Sequence, residues 1–140
     1  LKYQWKGGRF MKKASIFCVG VLSLFLFISI VAAIEEKGFY FINIGDYIET
    51  NSKGYKITTH PKIEIDIETP TADAELGVSL FKKVLFSYSL KEREDVWING
   101  RSTISITRSN YKNGTYKAGL VLNDTRDNKD VKGKFHIENS

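Results

Sequence analysis

The sequence predicts an all-β domain, a single antiparallel two-sheet sandwich of seven or eight strands, preceded by an N-terminal signal or anchor helix. Three observations predict it. Beyond Ile34, apolar and polar residues alternate with period two in one segment after another, as strands with one buried face do. No apolar set recurs there at helical spacing. Turn-forming residues part the segments at short intervals, which suits a sandwich first and a small barrel second.

The chain opens with residues 1–10, which read as a translated leader foreign to the native protein. Met11 is the only methionine. Lys6-Gly7-Gly8 back-translates into a purine-rich string of the kind that recruits a bacterial ribosome, and Arg9-Phe10 supply the spacer. Met11-Lys12-Lys13 then begins a bacterial-type export signal, followed by 21 uncharged residues from Ala14 to Ile34. The small residues Val31 and Ala33 predict cleavage after Ala33. The run also exceeds the ~7–15 residues of a signal core and meets the ~20 of a membrane helix. Residues 11–33 are therefore a signal peptide or a signal anchor, with membrane contact only through residues 14–34 if uncleaved. In both cases Lys12 and Lys13 stay inside and residues 34–140 are exported, either secreted or held on the extracytoplasmic face.

The exported residues supply the strands. Gly38–Ile44 is apolar on both faces, which suits burial or an edge packed against something. Lys62–Glu68 alternates without a slip, isoleucines on one face and charges on the other, until Thr69-Pro70 stops it. Glu75–Leu80 alternates again. Lys82-Lys83 marks the next turn, after which Val84, Phe86, Tyr88 and Leu90 form an inward set. A polar run, Lys91–Asp95, leads into a short strand Val96–Ile98 closed by Asn99-Gly100, and Thr103–Thr107 follows. Tyr116, Ala118, Leu120 and Leu122 alternate in the penultimate strand. After the loop 123–130, the last strand carries Val131, Gly133, Phe135 and Ile137.

Asn113-Gly114-Thr115-Tyr116 and the strand through Asp124 resemble the penultimate strand of immunoglobulin-like and fibronectin-type sandwiches. In those folds a Gly-x-Tyr opens the strand and the tyrosine hydroxyl ties back to the preceding corner. The resemblance implies that role for Tyr116. Ala118 stands where antibody domains place a cysteine. Residues 62–90 are similar to the second and third strands of bacterial immunoglobulin-like modules. The implied fold carries no function by itself.

Charge and chemistry exclude several functions. Five of the 21 Lys and Arg residues precede Ile34 and none of the 16 acidic ones does, so the exported part holds 16 of each and is neutral. A nucleic-acid binder needs a basic surplus. Cys18, in the apolar run, is the only cysteine, which leaves no disulfide, thiolate nucleophile or cysteine zinc site after Ile34. His60 and His136 have no spaced partner, and His136, opposite Phe135 and Ile137, is placed on solvent or a sheet edge. Glu64, Asp66 and Glu68 share one strand face, as any solvated face provides. Asp124, Asp127 and Asp130 form an oxygen-rich loop that would suit calcium, but Arg126, Lys129 and Lys132 neutralise it. No catalytic set and no cofactor follow from these residues. Aromatics offer the one hint of a binding surface. Phe39, Tyr40 and Phe41 are consecutive, so one must face outward, and Trp97 points away from Val96 and Ile98.

The sequence thus points to a secreted or cell-surface, non-catalytic binding module for an unknown protein or envelope component. The alternatives are a membrane-anchored structural or assembly subunit using the Gly38–Ile44 edge for strand addition, and a small secreted enzyme inhibitor.

Overall fold

A computed structural model describes residues 35–140. The leader 1–10, the signal or anchor 11–33 and the cleavage position after Ala33 lie outside the described residues. Nine antiparallel strands make two sheets: β1 (Lys37–Phe41), β2 (Tyr47–Glu49), β3 (Tyr55–Ile57), β4 (Pro61–Ile67), β5 (Asp73–Val84), β6 (Ser87–Asn99), β7 (Ser102–Thr107), β8 (Gly114–Thr125) and β9 (Val131–Asn139). One sheet has the order β1-β9-β4-β7; the other runs β2-β8-β5-β6, with β3 also paired to β8.

The β4 strand follows the simplest rule in the chain. Ile63, Ile65 and Ile67 are buried while Lys62, Glu64 and Asp66 stay partly exposed on the other face. Across the core, Leu76, Val78 and Leu80 of β5 and Tyr116, Ala118, Leu120 and Leu122 of β8 supply the facing layer. Burial of this kind stabilises by roughly 25 cal/mol per Å² of apolar surface removed from water. Phe39 and Phe41 close one side against each other and Phe135, with ring centroids 5.0 and 6.1 Å from Phe39. Gly133 makes that closure possible. A Cβ there would strike the Asp66 carbonyl and come within 2.9 Å of the Phe39 ring.

The connectivity corrects the immunoglobulin-like expectation. There the last two strands lie side by side in one sheet. Here β8 and β9 belong to different sheets, and apart from β2 and β3 only β5 and β6 are sequence neighbours sharing one. Every other connection crosses between layers, which is the winding of a jelly roll, with β2 and β3 as two halves of one strand. Thr50 bridges those halves. Its backbone N–H donates to Ala118 O and its hydroxyl accepts from Ala118 N–H, both at 2.9 Å. The Gly-x-Tyr signal marks a strand that starts at a corner, and a jelly roll offers such a corner too.

Three local expectations change as well. Lys82 and Lys83 lie inside β5, and the hairpin turns at Leu85-Phe86 instead. Val84, Phe86 and Leu90 are exposed, not an inward set. The β5 and β6 strands have 12 and 13 residues, whereas β7 in the covering sheet has six, so the hairpin outruns the layer that would bury it. The polar run Lys91–Asp95 is strand, because Glu92–Asp95 pair with β5, past a register shift at Lys91, along an edge where charged side chains reach water. β1 ends at Phe41, and Ile42 and Ile44 belong to an exposed loop.

Candidate functional site

The four aromatics expected to share a surface are separated. Phe39 and Phe41 are core residues, at 5% and 3% exposure, because β1 lays both against Phe135. Tyr40, between them, faces outward, and its hydroxyl donates to Asp130. Trp97 stands on β6, an edge of the opposite sheet; β1 instead lies beside β2. Its indole N–H donates to Asp73 Oδ1 at 2.8 Å, and the Arg126 guanidinium lies 4.7 Å from its ring centroid. One face of this indole is thus covered by the protein's own cation. Tyr116 is fully buried, and its hydroxyl donates to Lys112 O at 2.6 Å, within the corner that precedes β8.

The carboxylates of interest have structural partners. Asp130 receives Tyr40, Asp124 accepts from the Thr125 N–H at 2.8 Å, and Asp127 sits at φ 57 in the turn between β8 and β9. Among the described residues these three do not converge on a common point. Glu64, His136 and Glu138 do, each offering a ligand atom within 4.8 Å of the others. Lys62 Nζ lies 3.4 Å from both Glu64 and Glu138, so an ammonium already bridges two of the three groups. These hydrogen bonds hold the Lys62 pKa above its ordinary value. His136 is nearly buried, not solvent-facing or at an edge, since β9 lies between β1 and β4 and its ring is flanked by Glu36 and Glu138. His60 Nδ1 is 2.8 Å from Tyr111 O and donates to it. Asp66 accepts from the Thr103 hydroxyl at 2.8 Å. Two shallow grooves on the outer face of the β1-β9-β4-β7 sheet, about 470 and 560 Å³, share Glu68 and Lys134 and carry mixed charge.

One feature of the surface was hidden in the sequence. At the hairpin tip, Leu85 is 84% and Phe86 fully exposed, with Val84 exposed beside them. Leu85 adopts φ 57. This first position of a two-residue turn is one that glycine ordinarily fills when φ is positive there. Lys83 is exposed, and Lys82 Nζ lies 5.6 Å from the Tyr116 ring centroid, flanking the tip on the β8 side. The available signal was the triplet Val84-Leu85-Phe86 itself. Three consecutive apolar residues cannot share one face of a strand, and Lys82-Lys83 just before them favours an end over a core.

The fold class is a two-sheet antiparallel β-sandwich. No family model and no curated protein matches the chain. Solved structures do resemble it in fold. A protein from Sulfurospirillum deleyianum superposes with a TM-score of 0.48 at 8% identity, covering 74% of this chain and 98% of its own. The C-terminal CBM6 of LamC, a marine laminarinase from Zobellia galactanivorans, gives 0.46 at 13% identity over 74% of this chain and 86% of that one. A β-1,3-glucan-binding CBM6 from Bacillus halodurans gives 0.45 at 16% identity over 75% and 85%.

Proposed function

We propose that this protein is an exported, non-catalytic binding domain that recognises an envelope component outside the cytoplasmic membrane. The observation that carries the reading is the β5–β6 tip. A two-stranded hairpin presents Leu85 and Phe86 to solvent, with no side chain of the domain covering Phe86. Large apolar side chains held out of the core mark a contact surface. The titratable groups support the same reading from the other side. His60 is bonded to a backbone carbonyl, and Glu64 and Glu138 share Lys62. An acid–base pair needs a base oriented toward a reacting group, and these groups are oriented toward each other.

The experiment is retention of residues 34–140 on the envelope fraction of the producing cells, with Leu85→Ser/Phe86→Ser as the comparison. Retention of the wild-type domain and its loss in the variant, at unchanged melting temperature, is the expected result. A folded wild-type domain that is not retained would overturn the reading, as would hydrolysis of envelope material lost on changing His60, Glu64 or Asp66.

A further inference from the structure

We infer that the β5–β6 tip docks on an anionic lipid surface, with Leu85 and Phe86 entering the headgroup–acyl boundary and lysines holding the phosphates. The inference rests on the binding-domain reading and names the partner. The apex carries Val84, Leu85 and Phe86, whose side chains have no hydrogen-bonding atom. From Leu76 to Lys91 the hairpin holds Lys82, Lys83 and Lys91 and no acidic residue. Lys112 joins them from the neighbouring loop, where the Tyr111 hydroxyl donates to Lys91 O at 3.2 Å.

Charge bookkeeping around the tip favours lipid. Lys117 is engaged by Glu49, Lys62 by Glu64 and Glu138, and Lys134 by Glu36. Among the described residues, Lys82, Lys83, Lys91 and Lys112 take part in no ion pair, as is also true of Lys37, Lys53, Lys56, Lys129 and Lys132; what sets the first four apart is the apolar apex they flank and the absence of any acidic residue from Leu76 to Lys91. The acidic groups nearest along β6, Glu92 and Glu94, are held by Arg108 at 2.9 and 2.6 Å. An apolar apex inside a set of unneutralised lysines is the composition of an interfacial membrane element. A protein partner would have to find roughly 800 Å² of interface, far more than two side chains offer, whereas a bilayer needs only the tip.

One further observation agrees: a leucine at φ 57 is strained where glycine would not be, and its exposed side chain makes no buried contact within the domain to offset that cost.

The test uses residues 35–140, which enclose their core with their own side chains, and phosphatidylcholine vesicles with or without phosphatidylglycerol. The expected result is co-sedimentation with the anionic vesicles, weaker association with the neutral ones, and release by salt. Leu85→Ser/Phe86→Ser should weaken binding about tenfold or more. Lys82→Gln/Lys83→Gln should weaken only the anionic, salt-sensitive part, by about severalfold. Equal partitioning of wild type and tip variant would overturn the inference, as would a folded wild type that ignores anionic vesicles. Tip-dependent retention on the envelope fraction without vesicle binding would also overturn it, assigning the tip to a protein or glycan and leaving the binding reading intact. Loss of both would end both.

Discussion

Trp97 and Tyr40 are exposed at 39% and 55%, and Leu85 and Phe86 are exposed more fully, but the two groups differ in what holds them. The indole is tied to Asp73 and covered by Arg126; the phenol is tied to Asp130. Their polar atoms answer to neighbours in the same molecule, which fixes the rings and lowers what they can offer to a partner. The hairpin tip has no such tie. Its side chains are apolar throughout, and the backbone beneath them is strained at Leu85. Exposure therefore separates into two kinds: aromatics that brace loops, and an apex that nothing in the described domain uses.

Substitutions can break or sharpen this contrast. The largest effect is expected at an aromatic once grouped with the exposed ones. Phe39→Ala removes a core ring packed on Phe41 and Phe135 and should cost about 3–5 kcal/mol, read by chemical denaturation. A near-neutral result would place Phe39 on the surface after all. Tyr116→Phe comes next. It leaves Lys112 O without its donor and should cost about 1 kcal/mol or slightly more, with no change in envelope retention.

Trp97→Phe tests the bracing role. Loss of the bond to Asp73 and of part of the Arg126 stacking should cost about 0.5–1 kcal/mol and leave retention unchanged. If retention falls and stability does not, Trp97 is a contact residue and the contrast fails. Leu85→Gly should be the opposite case. Relief of a left-handed leucine is offset by the greater chain entropy of glycine, so the melting temperature should hold or rise slightly while retention drops.

The smallest effect is a pH dependence at the loop before β2. The Asp46 carboxylate accepts N–H bonds from Asn43 and Ile42 at 2.9 and 2.8 Å, which lower its pKa. Glu49 is lowered too: burial acts to raise it, but hydrogen bonds from Lys117 and Tyr47 prevail. A depressed folded pKa adds stability above the unfolded value, about 4, and that stability is lost as pH falls through the folded value. The melting temperature should therefore decline below about pH 4, and less steeply in Asp46→Asn, whose side chain keeps a neutral acceptor. Parallel acid limbs for the two proteins would contradict this.

Much of the strand content was legible because period-two alternation survives wherever a strand has one wet face. β4, β7, β8 and β9 are of that kind. The short halves β2 and β3 were not, since three residues each carry no period. The hairpin misled for a different reason. Val84, Phe86 and Leu90 have the spacing of a buried face, but whether a face is buried depends on the length of the sheet opposite. His136 erred the other way. It lies on the outward face, as alternation requires, yet Glu138 two residues along β9, Glu36 just before β1 and Glu64 paired with it from β4 crowd its ring.

By itself the sequence determined what local pattern can encode: an all-β domain, most of its strands, the inward faces of β4 and β8, and a neutral chain after residue 33. Strand alternation is a property of consecutive residues and needs no knowledge of the partner strand. The tertiary structure decided strand order, and with it the jelly-roll winding, the burial of Phe39 and Phe41 and the separation of Trp97 from Tyr40. It also decided that Leu85 and Phe86 stand beyond the covering sheet. Those outcomes depend on which strands meet across the core and how far each extends, and contacts between residues far apart in the chain leave no periodic trace along it.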